Sequence, residues 1–434
     1  MAWNVLILGG GFGGLTAARR LERKLAPHSA TVTLVSDVNF MLYTPLLPGA
    51  AAGTLEPRHV VVPLREQLRH TQLHLGAVTG ADPERRVVAV RSAGGEDAEL
   101  PYDQLIVALG STSRTLPIPG LAEYAMGFKT LAEAIALRNR VITRLEQAEI
   151  EDDEDARRAL LTFVFVGAGY AGLEGLAELQ DFAADVIERY PRARLDGVRF
   201  MLVEARDRVM PEVPPSLAAF ATAELRKRGI EVRTNTTIEA VTADTVTLSG
   251  GEAVPARTLA WTAGVKPHPV VAKLGLPLNG GGRIVADRFC AVQDRPGVWA
   301  IGDAAAVPDP AKKDNPSPPT AQHVLRQAKV AADNVIAALT GDEAKRRPFR
   351  YRTLGVFVDM GRNQAVATTL GIRWRGFPAW FLARTYHLAL MPGNARRFRL
   401  MADWTVGLLF GRDSAELGQL GHPPALQGSE QERG

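Results

Sequence analysis

Cysteine is almost absent from this chain of 434 residues, which contains only one, Cys290. With no second thiol, no internal disulfide can form. Enzymes that pass electrons through a pair of redox-active cysteines are therefore excluded, and a metal cluster of Cys and His ligands is not expected. The sequence predicts no metal site, and Cys290 is expected to be a small buried apolar residue.

Long apolar runs are also missing. Spanning a bilayer takes about 20 predominantly apolar residues, and no such run occurs in the sequence. The first residues lead directly into a predicted strand at 5–8, without the regions of a signal peptide. We therefore expect a cytoplasmic protein without membrane spans. A composition of 46% hydrophobic residues with 41 glycines is typical of a globular α/β protein.

Charge is unevenly distributed along the chain. The formal net charge is +4, but residues 345–412 contain 13 Lys and Arg residues and only two acidic residues, Asp359 and Asp403. The rest of the chain is acidic, and its acidic run at 151–155 is expected to be a solvated loop. A basic C-terminal segment on an acidic body implies a negatively charged partner surface, with nucleic acid and anionic lipid as candidates.

A glycine pattern, Gly9-x-Gly11-x-x-Gly14, follows the first predicted strand and opens a helix. In a dinucleotide-binding turn, these positions allow the tight turn, the approach of a pyrophosphate and the packing of helix on strand. The pyrophosphate lies at the helix N-terminus, where free N–H groups favour negative charge. After the second strand, Ser36 replaces the usual acid. Asp37 is either an acceptor for ribose hydroxyls, assisted by Ser36, or only a turn residue.

The same unit recurs about 160 residues later as Gly167-x-Gly169-x-x-Gly172, and its second strand ends at Glu204. A carboxylate at this position accepts from the ribose 2′- and 3′-hydroxyls and repels a 2′-phosphate. The site therefore favours NAD over NADP, although two nearby arginines weaken this preference. Two nucleotide sites on one chain indicate two redox cofactors that face each other.

Further motifs extend this pattern along the chain. They are Tyr43-Thr44-Pro45-Leu46-Leu47, Tyr102-Asp103-x-Leu105-Ile106-Val107-Ala108-x-Gly110, Phe165-Val166-Gly167-Ala168-Gly169-Tyr170-Ala171-Gly172-x-Glu174, Trp261-Thr262-Ala263-Gly264-Val265, Trp299-Ala300-Ile301-Gly302-Asp303-Ala304, Ala321-Gln322 and Gly376-Phe377-Pro378-Ala379-Trp380. Together they resemble the two-dinucleotide disulfide-reductase-type flavoproteins. More narrowly, the chain resembles the type II NADH dehydrogenases, single-subunit NADH:quinone oxidoreductases, over about residues 4–412.

The resemblance implies an α/β fold of two Rossmann-like domains, one for FAD and one for NADH. The implied FAD-binding residues are Gly9, Gly11, Phe12, Gly14, Ser36, Asp37, Thr44, Pro45, Val78, Ala108, Gly110, Gly302, Asp303 and Ala321. The implied NADH-binding residues are Gly167, Gly169, Tyr170, Gly172, Glu204, Ala263 and Gly264. The resemblance also places Glu174 near the meeting point of nicotinamide and quinone, and Gln322 where the quinone head group arrives.

One motif departs from the family pattern. Val324 and Arg326 stand where the family commonly has Ala and Gln, and Gln327 lies one residue further on. Gln322 therefore keeps an alternative role in capping or packing. The alternative for Glu174 is an ordinary acid in the first turn of a helix, stabilised by the helix dipole.

Aromatic residues and arginines are interleaved in the C-terminal segment. Arg-Trp-Arg at 373–375 precedes the mostly apolar residues 377–391, and three arginines at 396–399 follow, before Trp404 and the apolar residues 408–410. Short apolar helices flanked by Trp and Arg suit a membrane interface. A core helix or a dimer interface is the alternative. Nucleic acid is not expected as a partner, because no nucleic-acid-binding module is recognisable.

These observations predict an FAD domain in two parts, 1–120 and 285–340, an NAD domain at 121–284, and a C-terminal membrane-association and dimerisation region at 341–434. The predicted enzyme takes a hydride from NADH and passes two electrons to a membrane quinone. It acts as a peripheral homodimer on the cytoplasmic face of the membrane and pumps no protons. The alternatives are a soluble reductase that donates to a ferredoxin-type protein and a non-catalytic NAD(H)-sensing flavoprotein.

Overall fold

A seven-stranded sheet forms the larger of two α/β units in the computed structural model, which describes residues 2–26, 28–351, 353, 355–416 and 418. Its inner strands are buried because their residues are apolar on both faces, as in residues 5–8. The first five strands in spatial order are parallel, and the last two continue as an antiparallel meander. The spatial order is Val298–Ala300, Gln104–Val107, Trp3–Leu8, Ala30–Ser36, Gln72–Asp82, Val87–Ser92 and Asp97–Pro101.

A five-stranded parallel sheet forms the second unit. Its strands, in spatial order, are Ala125–Gly127, Thr258–Trp261, Thr162–Val166, Arg199–Val203 and Glu231–Arg233. An antiparallel sheet of Ile238–Val241, Thr245–Leu248 and Ala253–Pro255 packs against it. The chain crosses between the units at Ser111–Ser113 and Val265–Pro267, which pair with each other. The fold class is thus as predicted, and the boundaries at residues 120 and 285 stay a prediction.

Helices Phe12–Lys24 and Tyr170–Val186 bury apolar residues against the two sheets, whereas the two C-terminal helices leave apolar residues exposed. The α-helices are Phe12–Lys24, Leu47–Ala51, Leu64–Gln67, Leu121–Tyr124, Leu131–Ile150, Glu154–Leu160, Tyr170–Val186, Pro191–Asp196, Pro215–Lys227, Ala321–Leu339, Phe377–Leu390 and Asn394–Leu409. Short 3₁₀ turns occur at Thr44–Leu46, Pro57–His59, Ile187–Arg189, Pro269–Lys273, Gly302–Ala304 and Glu343–Lys345. Two-stranded pairings join Phe40–Leu42 to Val61–Pro63, Ile284–Val285 to Ala305–Ala306, and Pro308–Asp309 to Lys312–Pro316.

The C-terminal region begins with an antiparallel sheet of Gly355–Asp359, Ala365–Thr369 and Ile372–Gly376. Helix Phe377–Leu390 packs on this sheet, and helix Asn394–Leu409 follows it. Among the described residues, no helix is long and apolar enough to cross a bilayer. Residues 419–434 of the predicted membrane-association region lie outside the described residues.

One expectation from composition is met. Cys290 is fully buried, and its burial raises the pKa of the thiol. No cluster of His, Cys, Asp and Glu suited to a metal ion occurs among the residues that the structure describes.

The acidic run at 151–155 is exposed at residues 152–155, as expected, but it is a loop only as far as residue 153. Helix Glu154–Leu160 begins inside it, and the side chain of Asp153 caps this helix by accepting the N–H of Ala156 at 2.7 Å. Acids at a helix N-terminus satisfy free N–H groups and complement the helix dipole. The acids of this run therefore stabilise the N-terminus of helix Glu154–Leu160.

Replacing Asp153 by Ala should lower the free energy of unfolding by about 1 kcal/mol, because the Ala156 N–H loses its cap. Thermal or urea unfolding of the purified protein measures this change. Asp155→Ala is the matched control, since its exposed carboxylate contacts only Arg158 at the surface. Equal losses in both variants would show that Asp153 does not act as the cap.

Candidate active site

One large cavity, of about 2060 Å³, reaches both glycine turns. Cavities for a single small ligand typically hold roughly 300–1,000 Å³, so this one has room for two dinucleotides that meet. Apart from Gly14, every predicted site residue lines it: Gly9, Gly11, Phe12, Ser36, Asp37, Thr44, Pro45, Val78, Ala108, Gly110, Gly167, Gly169, Tyr170, Gly172, Glu174, Glu204, Ala263, Gly264, Gly302, Asp303, Ala321 and Gln322.

The first glycine turn has the geometry that a dinucleotide requires. The N–H of Gly9 donates to the carbonyl of Val35 at 2.8 Å, and the φ of Gly9 is +101°, which L side chains rarely adopt. A Cβ on Gly14 would lie 1.9 Å from the Gly9 carbonyl oxygen, so Gly14 serves close packing. Around Gly11 there is open space, which lets a pyrophosphate approach the N-terminus of helix Phe12–Lys24.

The second glycine turn repeats this geometry. Gly167 also has a φ of +101°, and its N–H donates to the carbonyl of Val203 at 2.8 Å. A Cβ on Gly172 would lie 1.9 Å from the Gly167 carbonyl oxygen, whereas Gly169 again faces open space. The chain therefore contains two matching phosphate-binding turns on one cavity.

Glu204 follows the strand whose carbonyl holds the second turn. Its Oε2 accepts the N–H of Ala168 at 2.7 Å, and its Oε1 accepts the N–H of Arg206 at 2.9 Å. These bonds fix the carboxylate at the cavity wall. From there it can also accept from the ribose hydroxyls of a nucleotide, because a carboxylate has several lone-pair sites.

Ser36 occupies the equivalent position in the first unit, directly after Val35. It is 3% exposed and lies beneath Gly10, where an added Cβ would approach the Ser36 Oγ to 2.5 Å. The space under this turn is thus filled by a small side chain. Asp37 is exposed and lines the cavity, so it is the carboxylate available to a ribose at this turn, and that role stays a prediction.

A polar cluster beside Asp303 was not predicted. The Nζ of Lys129 donates to the Oγ of Ser111 at 2.7 Å, and this hydroxyl donates to the Asp303 carboxylate. Burial lowers the pKa of Lys129, although Asp303, 3.9 Å away, opposes the shift. The N–H of Gly302 donates to Oε1 of Gln327 at 2.8 Å, which holds the Asp303 turn. These donors and acceptors fit the polyol and phosphate oxygens of FAD.

Glu174 lies on helix Tyr170–Val186 but beyond its first turn, so the alternative of an ordinary first-turn acid does not hold. Its Oε1 accepts the N–H of Asp359 at 3.0 Å. Burial raises the pKa of Glu174 well above its usual range, and the nearby acids Asp359 and Glu178 add to the effect. This shift favours the protonated form of the carboxyl group.

Gln322 lies in the first turn of helix Ala321–Leu339 and lines the cavity. Its Nε2 donates to the carbonyl of Gly355 at 3.1 Å, and its Oε1 accepts the hydroxyl of Tyr351. Arg326 stacks on the Tyr351 ring at 4.2 Å. The amide is thus tied to the start of the C-terminal sheet, and its contact with quinone stays a prediction.

An aromatic pocket, formed by Tyr43, Phe357, Tyr386 and His387, closes the cavity toward helix Phe377–Leu390. Phe357 and Tyr386 stack with ring centroids 4.8 Å apart, and His387 Nδ1 lies 3.4 Å from the Tyr43 hydroxyl. Burial lowers the pKa of His387 to about 4, so its ring is neutral at physiological pH. A flat, hydrophobic ring system fits such a pocket.

Known proteins share this architecture. The pyridine nucleotide-disulphide oxidoreductase family matches residues 3–334. The chain is 32% identical to the type II NADH:quinone oxidoreductase Ndh of Mycobacterium tuberculosis, over 96% of this chain and 89% of that protein. It is 30% identical to a probable NADH dehydrogenase of Dictyostelium discoideum, over 94% and 90%. This chain belongs to the type II NADH:quinone oxidoreductase family.

The structure of NDH2 from Plasmodium falciparum in complex with NADH has the same fold, with a TM-score of 0.88 at 19% identity, over 96% of this chain and all of that one.

The family resemblance seen in the sequence is therefore confirmed, together with the fold of two dinucleotide-binding units. The cavity of this type II NADH:quinone oxidoreductase is also lined by residues that the sequence motifs did not reveal. These are Ser111 and Lys129 beside Asp303, and Tyr386 and His387 in the aromatic pocket. Each is an isolated residue in the sequence, and only the fold brings it to the cavity.

The two turns can be assigned to their cofactors by adding one methyl group to each. Gly11 and Gly169 both have ordinary φ values, near −74° and −72°, and face open space, so Ala fits the protein itself. The methyl group would displace a bound pyrophosphate. We expect Gly169→Ala to raise the Kd for NADH at least about tenfold, or roughly 1.4 kcal/mol, with FAD retained. Titration with NADH and the flavin absorbance of the purified protein measure both effects.

Gly11→Ala is the reciprocal variant and should be purified with less FAD than the native protein. Gly172→Ala is the control for folding, because its Cβ would meet the Gly167 carbonyl oxygen at 1.9 Å and disrupt the turn itself. Loss of FAD from Gly169→Ala, with NADH binding intact, would mean that the two sites are exchanged.

Proposed function

We propose that this chain oxidises NADH and delivers two electrons, by way of FAD, to a membrane quinone, without pumping protons. One observation carries the proposal: a single cavity joins both glycine turns to the aromatic pocket on helix Phe377–Leu390, whose outer face is apolar and exposed. The relative from Mycobacterium tuberculosis, named an NADH:quinone oxidoreductase, supports the same acceptor.

The chain contributes position and electrostatics to this reaction. Bound FAD supplies the chemistry of accepting a hydride from NADH and releasing electrons to an acceptor. The turns at Gly11 and Gly169 hold the two pyrophosphates so that the reactive rings extend into one cavity. Glu204 selects NADH by accepting from its ribose and repelling a 2′-phosphate. The aromatic pocket then receives the quinone ring from the lipid side.

Protons must balance the electrons. NADH, one proton and a quinone give NAD⁺ and a quinol, so each turnover consumes one net proton. Glu174 lines the cavity, and burial raises its pKa, which favours the protonated form of its carboxyl group. We assign to Glu174 the delivery of this proton toward the reacting rings.

We propose further that helices Phe377–Leu390 and Asn394–Leu409 form a membrane foot. Their exposed apolar side chains are Phe377, Phe381, Leu390, Phe398, Met401, Val406, Leu408, Leu409 and Phe410. Phe398 is 70% exposed, which argues against the alternative of a core helix. Arginines at 373, 375, 397 and 399 flank this surface and would attract anionic lipid. A homodimer on the cytoplasmic face of the membrane belongs to the same proposal.

Anaerobic stopped-flow spectroscopy tests the electron acceptor. NADH should bleach the flavin, and a short-chain quinone in detergent should restore its absorbance within a catalytic turnover. A flavin that NADH reduces but only a ferredoxin-type protein reoxidises would favour the soluble-reductase alternative. A flavin that NADH does not bleach would favour the NAD(H)-sensing alternative.

The membrane foot can be tested with vesicles that contain an anionic phospholipid. The triple variant Phe398→Ser, Leu409→Ser and Phe410→Ser removes three exposed apolar side chains. Burying each of them fully in lipid would contribute roughly 1.5–3 kcal/mol to the free energy of binding. We expect vesicle binding in a sedimentation assay to weaken by at least about tenfold. Activity with a water-soluble quinone should be retained, because none of the three residues lines the cavity.

Leu195→Ser is the matched control, since Leu195 is 87% exposed on the nucleotide-binding unit. It should bind vesicles like the native protein. If the triple variant instead binds vesicles normally but changes from dimer to monomer in size-exclusion chromatography, the exposed surface is a dimer interface and not a membrane foot.

A further inference from the structure

A short segment at the end of the membrane foot turns back onto the second α/β unit. Helix Asn394–Leu409 is followed by Phe410, and residues 411–416 then lie against helices Leu131–Ile150 and Tyr170–Val186. We call residues 411–416 the strap. Its contacts with the two helices are made by charged side chains and by backbone groups.

The first contact of the strap is with Arg138, which is 9% exposed and lies over the ring of Phe182 at 5.2 Å. Its guanidinium donates to the carbonyl of Asp413 at 2.7 Å and to that of Ala415 at 2.9 Å. Burial lowers the pKa of Arg138, and the carboxylates of Asp413 and Glu416 oppose this shift. A buried cation is costly unless it is paired and hydrogen-bonded, and the strap supplies these partners for Arg138.

The second contact has the charges the other way round. Arg412 of the strap lies 3.7 Å from the carboxylate of Glu178 and 3.8 Å from that of Asp181, and both acids are buried. Its backbone N–H donates to Oδ2 of Asp185 at 3.2 Å. These three acids lie on one face of helix Tyr170–Val186, because they are spaced by three and four residues. Complementary charges on both helices therefore fix the register in which the strap docks.

The last turn of the foot is exposed, and the strap is attached directly to it. Residues 405–410 are all exposed. The two buried residues of helix Asn394–Leu409 lie in its first half, and its middle is held by Asp403, whose carboxylate is 2.7 Å from Nδ1 of His59. Exposed helix ends fray unless they are tied down. The strap, which begins directly after Phe410, therefore fixes the direction of this exposed end.

The length of the chain limits how far the apolar end of the foot can move from the second unit. An extended chain advances about 3.3–3.6 Å per residue, so the Cα atoms of Phe410 and Arg412 are separated by at most roughly 7 Å. Phe410 is 66% exposed, whereas Arg412 is held at the buried acids of helix Tyr170–Val186. The apolar end of the foot is thus tied closely to the helix that also carries Glu174 and begins at the second glycine turn.

We propose that the strap fixes the depth and direction at which the foot lies in the bilayer, so that the aromatic pocket opens toward a quinone dissolved in the lipid. Arg138 and Arg412 are positioning residues in this arrangement and act on the quinone only through the foot. The inference rests on the proposed membrane foot and quinone reduction. It separates two properties: the exposed apolar side chains determine how strongly the foot binds lipid, and the strap determines how the foot is oriented there.

A spin label measures the depth of the foot without any reaction. Cys290 is fully buried, and burial raises the pKa of its thiol, so a label on Leu409→Cys attaches at one site. On vesicles that contain an anionic phospholipid, this label should report a single depth, read from its relative accessibility to oxygen and to a water-soluble nickel chelate. Adding Arg138→Met or Arg412→Met should broaden the distribution of depths and increase the motion of the label.

Steady-state kinetics tests the consequence for the reaction. In Arg138→Met and Arg412→Met, we expect the apparent KM for a long-chain quinone dissolved in the vesicles to rise at least about fivefold, while kcat and KM with a water-soluble quinone change less than about twofold. Flavin reduction by NADH should keep its native rate, because neither residue lines the large cavity. Vesicle binding should weaken less than about threefold, since the apolar side chains of the foot remain.

Two further variants separate the effect of charge from that of folding. Arg412→Lys keeps a cation beside Glu178 and Asp181, so it should restore most of the native label depth and the native KM. Arg140→Met is the matched control for Arg138→Met. Arg140 lies on the same helix but is not a hydrogen-bond partner of the strap, so its replacement should leave both measurements unchanged.

The outcomes distinguish the strap from the proposed function. If no quinone reoxidises the flavin of the native protein, the proposed function fails, and the label depth still decides whether the strap orients the foot. If a quinone does so, but both Met variants keep the native label depth and the native KM for the lipid-dissolved quinone, the strap proposal is overturned while the function stands. Equal slowing with both quinones, in variants of reduced thermal stability, would also overturn it and indicate a purely structural role.

Discussion

The close approach of helix and strand at each glycine turn is the constraint on which the rest of the molecule depends. At Gly14 and Gly172, the carbonyl oxygen of the turn lies where a Cβ would be, so only glycine lets the helix begin there. This contact points the N-terminus of each helix at the cavity, where free N–H groups attract a pyrophosphate. Because the unit occurs twice and both copies open on one cavity, the two nucleotides are brought to a common meeting point.

Helix Tyr170–Val186 connects this constraint to the remainder of the site. Its first turn belongs to the second nucleotide turn, its fifth residue is Glu174, and its C-terminal half carries Asp181. Asp181 binds the N–H and the guanidinium of Arg362, which fixes the C-terminal sheet against the helix. The helix that starts at the second nucleotide turn therefore also positions the C-terminal sheet. Helix Phe377–Leu390, which carries part of the aromatic pocket, packs on that sheet.

The parts of the structure that could be predicted from the sequence are those encoded locally. A strand, a glycine turn and a helix lie within about 25 consecutive residues, so both nucleotide turns were identifiable, and the end of the next strand of the second unit indicated Glu204. The sequence did not predict which residues pair across a long stretch of chain: Ser111 with Asp303, Tyr43 with His387, and Glu174 with Asp359. Asp303 and Glu174 were predicted from their own motifs, but Ser111, His387 and Asp359 carry no local signal, because their contacts with these partners arise only when the sheets and the C-terminal region assemble.

Buried acids differ in how far their charge is compensated, and this difference separates structural from chemical roles. Asp181 receives hydrogen bonds from two arginines and a backbone N–H, so its charge is satisfied and its position is fixed. Glu174 has one backbone donor, and Glu178 has an unpaired oxygen among the described residues. Leaving carboxyl groups buried without full pairing costs folding free energy, which a purely structural role would not require. Glu178, whose nearest cation is Arg412 at 3.7 Å, has a pKa raised to about 7 mainly by burial, so this carboxyl group can gain and lose a proton near neutral pH.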